Sequence, residues 1–226
     1  MKKIVVKTEF LAQIKDDDKF INAIQLGRIL AAIRYNKILH AIISKDDKAN
    51  TSLQLYLLLG HAASLYEGIA TFKKTKTYYE GLSYYKNNLD KIAKILNEAT
   101  NENSFLNKVF KIIRNKIAFH FDEDVIKDIW GKYVDDCVKE KIDVVVISGK
   151  SETVKDTTYL LADNMNINYI LNLINEGIKG EKEKFIILSQ KLLELSELFC
   201  SIVEELIPDL IKNYCKVIDE PEIEKP

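Results

Sequence analysis

Apolar side chains recur every three or four residues along most of the chain, which is the spacing of one face of an α-helix. In the first such run the apolar positions are Phe20, Ile21, Ile24, Leu30, Ile33, Leu39 and Ile42. The acids Asp16 to Asp18 stand just before it, where negative charge stabilises a helix N-terminus. The pattern therefore predicts a long first helix over residues 18–43.

Two capping-box patterns predict where the next helices begin. In Thr51 with Gln54, and in Thr77 with Glu80, the hydroxyl and the later side chain satisfy each other's free amides. The helix expected after Thr77 has a narrow seam of apolar residues four and three apart: Tyr78, Leu82, Tyr85, Leu89, Ile92 and Leu96. A fourth helix repeats this spacing with Leu106, Phe110, Ile113 and Ile117, and a shorter one is expected over about 124–139.

The pattern changes between residues 142 and 162, where two short runs rich in β-branched residues flank a polar segment. This predicts a small β-hairpin. Helical spacing then returns, and the last long helix has a seam of Phe185, Leu188, Leu192, Leu195, Phe199, Ile202 and Leu206. That seam fits either the chain's own bundle or a second subunit, and periodicity does not choose between them.

The predicted fold is mainly α: an antiparallel helical bundle with a small β-hairpin insertion at about 142–162 and a long C-terminal helix. One domain is expected over 1–218, followed by a flexible acidic tail over 219–226 that contains two prolines.

Composition excludes two classes of protein. With 226 residues, 47% hydrophobic and 30% charged, the chain is neither wholly disordered nor a multi-span membrane protein. Its 33 basic and 34 acidic residues nearly cancel, so any nucleic-acid site has to be local. The three cysteines are far apart and the N-terminus lacks a secretory apolar segment, which together predict a cytoplasmic protein without a membrane span.

The stretch from Arg114 to His120 carries the main chemical signal. The chain has only three arginines against 30 lysines, so each arginine is a candidate for a task that needs a planar guanidinium. A structural interpretation is available too, because His120 continues the stripe of Leu106, Phe110, Ile113 and Ile117. The common phosphate-binding and zinc signatures are missing, so no cofactor and no metal site are expected.

This stretch resembles the R-x4-6-H signature of HEPN-domain proteins, in which a polar residue follows the arginine; here that residue is Asn115. The surrounding segments, LYEGI on the second predicted helix and YYEGLSYYKN on the third, look like HEPN proteins of the abortive-infection and toxin type. The resemblance covers roughly residues 15–140. It implies a helical bundle and a metal-independent endoribonuclease, with a toxin–antitoxin or phage-defence role and a possible cognate antitoxin.

The two residues suit that chemistry. Histidine exchanges protons near neutral pH, and guanidinium matches two phosphate oxygens at once, so His120 is assigned to proton transfer and Arg114 to phosphate binding. On a straight α-helix the two Cα atoms are about 9 Å apart along the axis and about 240° apart around it. One copy makes a poor clamp, which predicts a homodimer with its interface near the fourth helix, as the resemblance also implies.

Further residues are expected to support the site. A polar stripe of His61, Ser64 and Glu67 on the second helix either lines the cleft and holds Arg114 or faces water. The predicted RNA-binding set combines positive charge with rings for stacking: Lys73, Lys74, Lys76, Lys116, Tyr79 and Tyr84.

Two alternatives stay open. Arg34 and His40 also have five residues between them, but no polar residue directly after the arginine. The chain can also be read as a non-catalytic helical interaction module that dimerises through its heptad-patterned helices and keeps Arg114 and His120 for structural reasons.

Overall fold

The structure is a computed structural model that describes residues 14–43, 51–118, 123–141, 167, 169–174 and 180–214. Its α-helices are α1 (Asp18–Ile43), α2 (Thr51–Thr75), α3 (Ser83–Asn87), α4 (Leu89–Thr100), α5 (Glu123–Glu140) and α6 (Glu181–Tyr214). A 3-10 turn covers Lys76–Tyr78, and two π-helical segments, π1 (Leu106–Phe110) and π2 (Ile113–Ala118), lie between α4 and α5. All regular structure within the described ranges is helical, which confirms the mainly-α class.

Two sequence predictions concern residues that the structure does not describe. The hairpin expected at 142–162 and the tail at 219–226 both lie outside the described residues. Within the described ranges, no helix is both long enough and apolar enough to cross a lipid bilayer.

The first two predicted helices begin where the sequence places them. Asp17 caps α1, because its Oδ1 accepts hydrogen bonds from the backbone amides of Lys19 and Phe20, both at 2.9 Å. Such a cap satisfies amides that have no partner inside the helix. The second helix begins at Thr51, as its capping-box pattern predicts.

Contacts between helices give their directions. Asn36 on α1 lies near Gly60 on α2, while Ile29 lies near Gly68, so α1 and α2 are antiparallel. The ion pairs Arg34–Glu204 and Lys37–Glu197 show that α1 and α6 are antiparallel too, because the residue number rises along one helix as it falls along the other. A further ion pair, Lys94–Glu194, joins α4 to α6.

The core is one continuous cluster of buried side chains contributed by α1, α2, α3, α4, α6 and both π-helical segments. The seam of the last helix belongs to it: Leu188, Leu192, Leu195, Phe199, Ile202 and Leu206 are at most 4% exposed. The question that periodicity left open is therefore decided, because this seam packs against the chain's own bundle. Only its first residue, Phe185, is exposed.

The predicted third helix is wrong as a single element. Instead of a capping box at Thr77, α2 continues into the 3-10 turn, and Glu80 pairs with Lys76 at 3.6 Å. Leu82 then adopts an extended backbone, with φ −72° and ψ 148°, before α3 begins. The break buries Tyr79, whose hydroxyl donates to Asn22 Oδ1 at 2.7 Å.

Candidate functional site

Arg114 lies in π2 and is held from two sides. Its Nε forms an ion pair with Glu67 of α2, and its Nη1 donates to Oδ1 of Asn115 at 2.9 Å. The Arg114 side chain keeps 36% of its surface exposed. The neighbouring Ile113 is completely buried and fixes this segment against the core. The guanidinium is thus oriented by an ion pair with Glu67 and a hydrogen bond to Asn115 while it still reaches solvent.

The winding of π2 changes the geometry expected from the sequence. Ile113–Ala118 has π-helical rather than α-helical hydrogen bonding, so each turn contains more residues than an α-turn. The separation of Arg114 and His120 expected for a straight α-helix therefore does not apply over residues 114–118. Segments of this kind are rare and frequently occur at functional sites.

His120 lies outside the described residues, as do Phe119, Phe121 and Asp122. Its assignment to proton transfer stays a prediction from the sequence.

The polar stripe on α2 does not form one surface. Glu67 reaches Arg114, whereas His61 is 5% exposed and makes a 2.8 Å hydrogen bond with Ser196 of α6. Residues 61 and 67 are six positions apart, which turns them about 120° away from each other on an α-helix. His61 therefore lies on a different face of α2 from Glu67 and away from Arg114. Ser64, between His61 and Glu67 in the sequence, is half-buried.

The tautomer of His61 follows from its partner. The Ser196 hydroxyl donates its proton to the Leu192 carbonyl oxygen at 2.6 Å, so its oxygen accepts from the His61 imidazole. Nε2 then carries the proton and Nδ1 is unprotonated. Burial, with smaller contributions from Lys37 and His40, lowers the pKa of His61 to about 4.

His61 also lines a small cavity of about 80 Å³ where α1, α2 and α6 meet. Lys37, His40 and Ser189 contribute its polar lining, and four leucines contribute the rest. Arg34 and His40, the alternative pair from the sequence, have different surroundings. His40 faces this cavity, whereas Arg34 forms an ion pair with Glu204 on α6.

The predicted RNA-binding residues have different surroundings. Tyr79 is 0% exposed, so its ring has no face open to a base, and its assignment to RNA stacking is wrong. Tyr84 is half-buried against α6, where its amide donates to Asp209 at 2.8 Å and its hydroxyl to Ser201 O at 3.3 Å.

Among the predicted RNA-binding residues, the lysines fit that role better than the two tyrosines. Lys73 is exposed and donates to the Ala99 carbonyl oxygen at 2.9 Å, while Lys76 pairs with Glu80. Lys74 is exposed and follows Glu67 by seven residues, which places it on the same face of α2, about 10 Å along the axis. Lys116 is half-buried in π2 itself. Positive charge therefore lies on both elements that meet at the Arg114–Glu67 pair.

Sequence reasoning missed two buried polar pairs, His61 with Ser196 and Tyr79 with Asn22. Their signal was present but weak. Asn22 and Ser196 are polar residues placed between apolar positions of long helices, which is where a buried side chain needs a hydrogen-bond partner.

Comparisons of the chain with protein-family models, curated proteins and solved structures found no match. Functional interpretation thus rests on the residues themselves.

Proposed function

We propose that this protein is a metal-independent endoribonuclease of the HEPN type that cleaves single-stranded RNA. The observation that supports the proposal most is the setting of Arg114. This arginine lies in a π-helical segment, is oriented by Glu67 and Asn115, and remains partly open to solvent. A guanidinium held in this way is suited to bind a phosphate group.

The proposed chemistry uses the RNA's own nucleophile. The 2′-hydroxyl attacks the adjacent phosphorus and the bond to the 5′-oxygen breaks, which leaves a 2′,3′-cyclic phosphate and a 5′-hydroxyl. His120 transfers the proton, and Arg114 stabilises the charge that develops on the phosphate oxygens. Glu67 and Asn115 are positioning residues in this scheme, because they act through Arg114.

The proposal includes an assembly and a setting. A HEPN-like fold with a hairpin insertion at 142–162, a homodimer that brings Arg114 and His120 of two copies to one cleft, and a cytoplasmic toxin–antitoxin or phage-defence role are all part of it. A cognate antitoxin protein is the expected partner besides RNA. These statements come from the sequence pattern and the resemblance, and the setting of Arg114 is compatible with them.

The decisive experiment is a cleavage assay on single-stranded RNA in the presence of a chelator. Wild-type protein is expected to produce 2′,3′-cyclic phosphate ends, and His120→Ala to lose activity by about 10²-fold or more. His40→Ala is the matched control, since that histidine follows an arginine at the same spacing. DNA of the same sequence is expected to remain intact because it lacks the 2′-hydroxyl.

Two results would overturn the proposal. In one, His120→Ala cleaves as fast as wild type while its circular dichroism spectrum is unchanged. In the other, purified wild type fails to cut any of a set of unstructured RNAs under these conditions. Loss of activity in His40→Ala alone would transfer the assignment to the Arg34–His40 pair.

An interaction module that bound a partner through the seam of the last helix is not supported, because Leu195 and Ile202 are 2% and 0% exposed inside the chain's own core.

A further inference from the structure

Helix α1 is apolar on two opposite sides. Ala23, Leu26, Leu30 and Ile33 are buried in the core. The opposite side, here called the outer face, carries large hydrophobic side chains that are 45–67% exposed: Ile21, Ile24, Tyr35, Ile38, Leu39 and Ile42. In the described part of the chain thirteen large hydrophobic residues are exposed, and these six are among them. Such concentration on one helix marks an interaction surface rather than scattered exposure.

The outer face has the spacing of a helix–helix seam. Its positions 21, 24, 28, 31, 35, 38 and 42 are three and four residues apart throughout. That alternation keeps side chains on one side of a helix for its whole length, as in a coiled coil. Arg28 and Ala31 are the two members of the seam that are not large and apolar.

The outer face is also similar in both directions about a point between Ala31 and Ala32, except that Ile38 corresponds to the polar Gln25. At equal distances from that point, Ile21 corresponds to Ile42, and Ile24 to Leu39. A twofold axis there would place each apolar end of one helix against the apolar end of its partner. The two alanines at the centre allow the helices to approach closely.

From this symmetry we propose that the outer face of α1 binds the same face of a second copy, antiparallel and across a twofold axis. Closed twofold interfaces use one surface patch on both subunits, which is what a self-complementary seam provides. The inference does not use the proposed nuclease chemistry, and it places the twofold interface on α1 rather than near the predicted fourth helix.

The positive charge of Arg28 favours an antiparallel over a parallel pair of helices. In a parallel pair, Arg28 would face Arg28 of the partner subunit, and the two positive charges would repel each other. In the antiparallel pair the two guanidinium groups are about 10 Å apart along the axis. Each then lies across from the partner's Tyr35, at a distance suited to a cation–π contact. In the monomer Tyr35 is 67% exposed, so its ring is accessible to such a contact.

The size of the face is that of a weak, reversible interface. A helix of 26 residues is about 39 Å long, and a seam about 10 Å wide covers about 400 Å² per copy. Stable interfaces bury about 800 Å² per partner. We therefore expect reversible association with a dissociation constant in the micromolar range.

Sedimentation velocity over a concentration series tests the interface. Wild type is expected to shift from monomer to dimer as its concentration rises through the micromolar range. Ile38→Glu places a carboxylate in each half of the seam and is expected to raise the dissociation constant at least about 10-fold. Val138→Glu on α5 is the matched control, because Val138 is exposed by 73% and lies off the outer face.

A protein that stays monomeric up to about 500 µM, well above the expected constant, would overturn the proposal. So would a dimer that Ile38→Glu and Val138→Glu leave equally intact. Cleavage activity is measured separately, so failure of this proposal is distinguishable from failure of the proposed function.

Cysteine cross-linking tests the direction. In the antiparallel pair, Ala31→Cys lies next to the axis and is expected to form an intermolecular disulfide on mild oxidation. Ile21→Cys is expected to form none, since the two copies of residue 21 are about 30 Å apart and a disulfide needs Cα atoms within about 7 Å. Wild type oxidised alongside gives the background from the native thiols. Efficient cross-linking of Ile21→Cys would show a parallel pair and refute the twofold arrangement.

Discussion

Acidification below pH 6.5 is expected to destabilise the protein through His61. The imidazole is 5% exposed, and its Nε2 donates to the Ser196 hydroxyl. Burial is the largest cause that lowers its pKa to about 4, and the positive charges of Lys37 and His40 act in the same direction. All three causes disfavour the imidazolium in the folded state.

The sign and size follow from proton linkage. Above pH 6.5 His61 is neutral in both the folded and the unfolded state, so it adds no pH dependence. Between pH 6.5 and about 4 the unfolded chain binds a proton that the folded protein does not. The free energy of unfolding then falls by about 1.4 kcal/mol per pH unit, to a total of about 3 kcal/mol, and this contribution levels off below pH 4.

Urea unfolding of wild type and His61→Gln from pH 7.5 to 4 measures this effect. The two proteins differ only at residue 61, so the difference between their stability curves reports on His61. Wild type is expected to lose about 3 kcal/mol relative to the variant over this range. Glutamine retains a side-chain amide that can donate to Ser196.

Lys37→Gln provides a second arm of the experiment. Without this positive charge the pKa of His61 is expected to rise, and the loss of stability on acidification is expected to shrink. A flat difference curve between wild type and His61→Gln from pH 7 to 4.5 would refute the reasoning. An NMR titration of the His61 ring that gives a pKa near 6.5 would do the same.

Two further substitutions test the packing by urea unfolding. Gly68→Ala would place a Cβ 2.6 Å from Cζ of the buried Phe199, so a loss of about 1–3 kcal/mol is expected. Gly131→Ala, at an exposed position of α5, meets nothing within 4 Å and is expected to be neutral or stabilising. Tyr79→Phe leaves the buried Asn22 oxygen without its 2.7 Å donor, so the free energy of unfolding is expected to fall by about 1–3 kcal/mol. An unchanged unfolding midpoint would contradict that contact.

The periodicity of apolar residues predicted the helices well where nothing interrupts it. The cap at Asp17, the start at Thr51 and the seam of the last helix are all local features, because each depends on spacing within a few turns. The break between α2 and α4 was not predictable in this way. There the apolar spacing continues from Tyr78 to Leu96, but burial of Tyr79 against α1 overrides it.

One contact at the candidate site, between Glu67 and Arg114, was predictable from the sequence, and other details were not. A charged residue such as Glu67 inside an apolar helix needs a partner, and Arg114 is the partner it has. His61, Ser64 and Glu67 looked like one stripe because Ser64 and Glu67 follow His61 by three and six residues. Each step of three residues falls 60° short of a full turn, so the stripe drifts off one face and onto another. Spacing also gives no sign of the π-helical winding at Ile113–Ala118.

The three arginines show how the sequence and the structure complement each other. Their scarcity beside 30 lysines predicted that each performs a task suited to a planar guanidinium. Arg34 and Arg114 each pair with a glutamate of another helix. For Arg28 the described residues contain no partner, and it lies in the middle of an apolar outer face. A guanidinium stacks on an aromatic ring better than an ammonium group does, so the proposed contact with Tyr35 of a second copy would account for the third arginine.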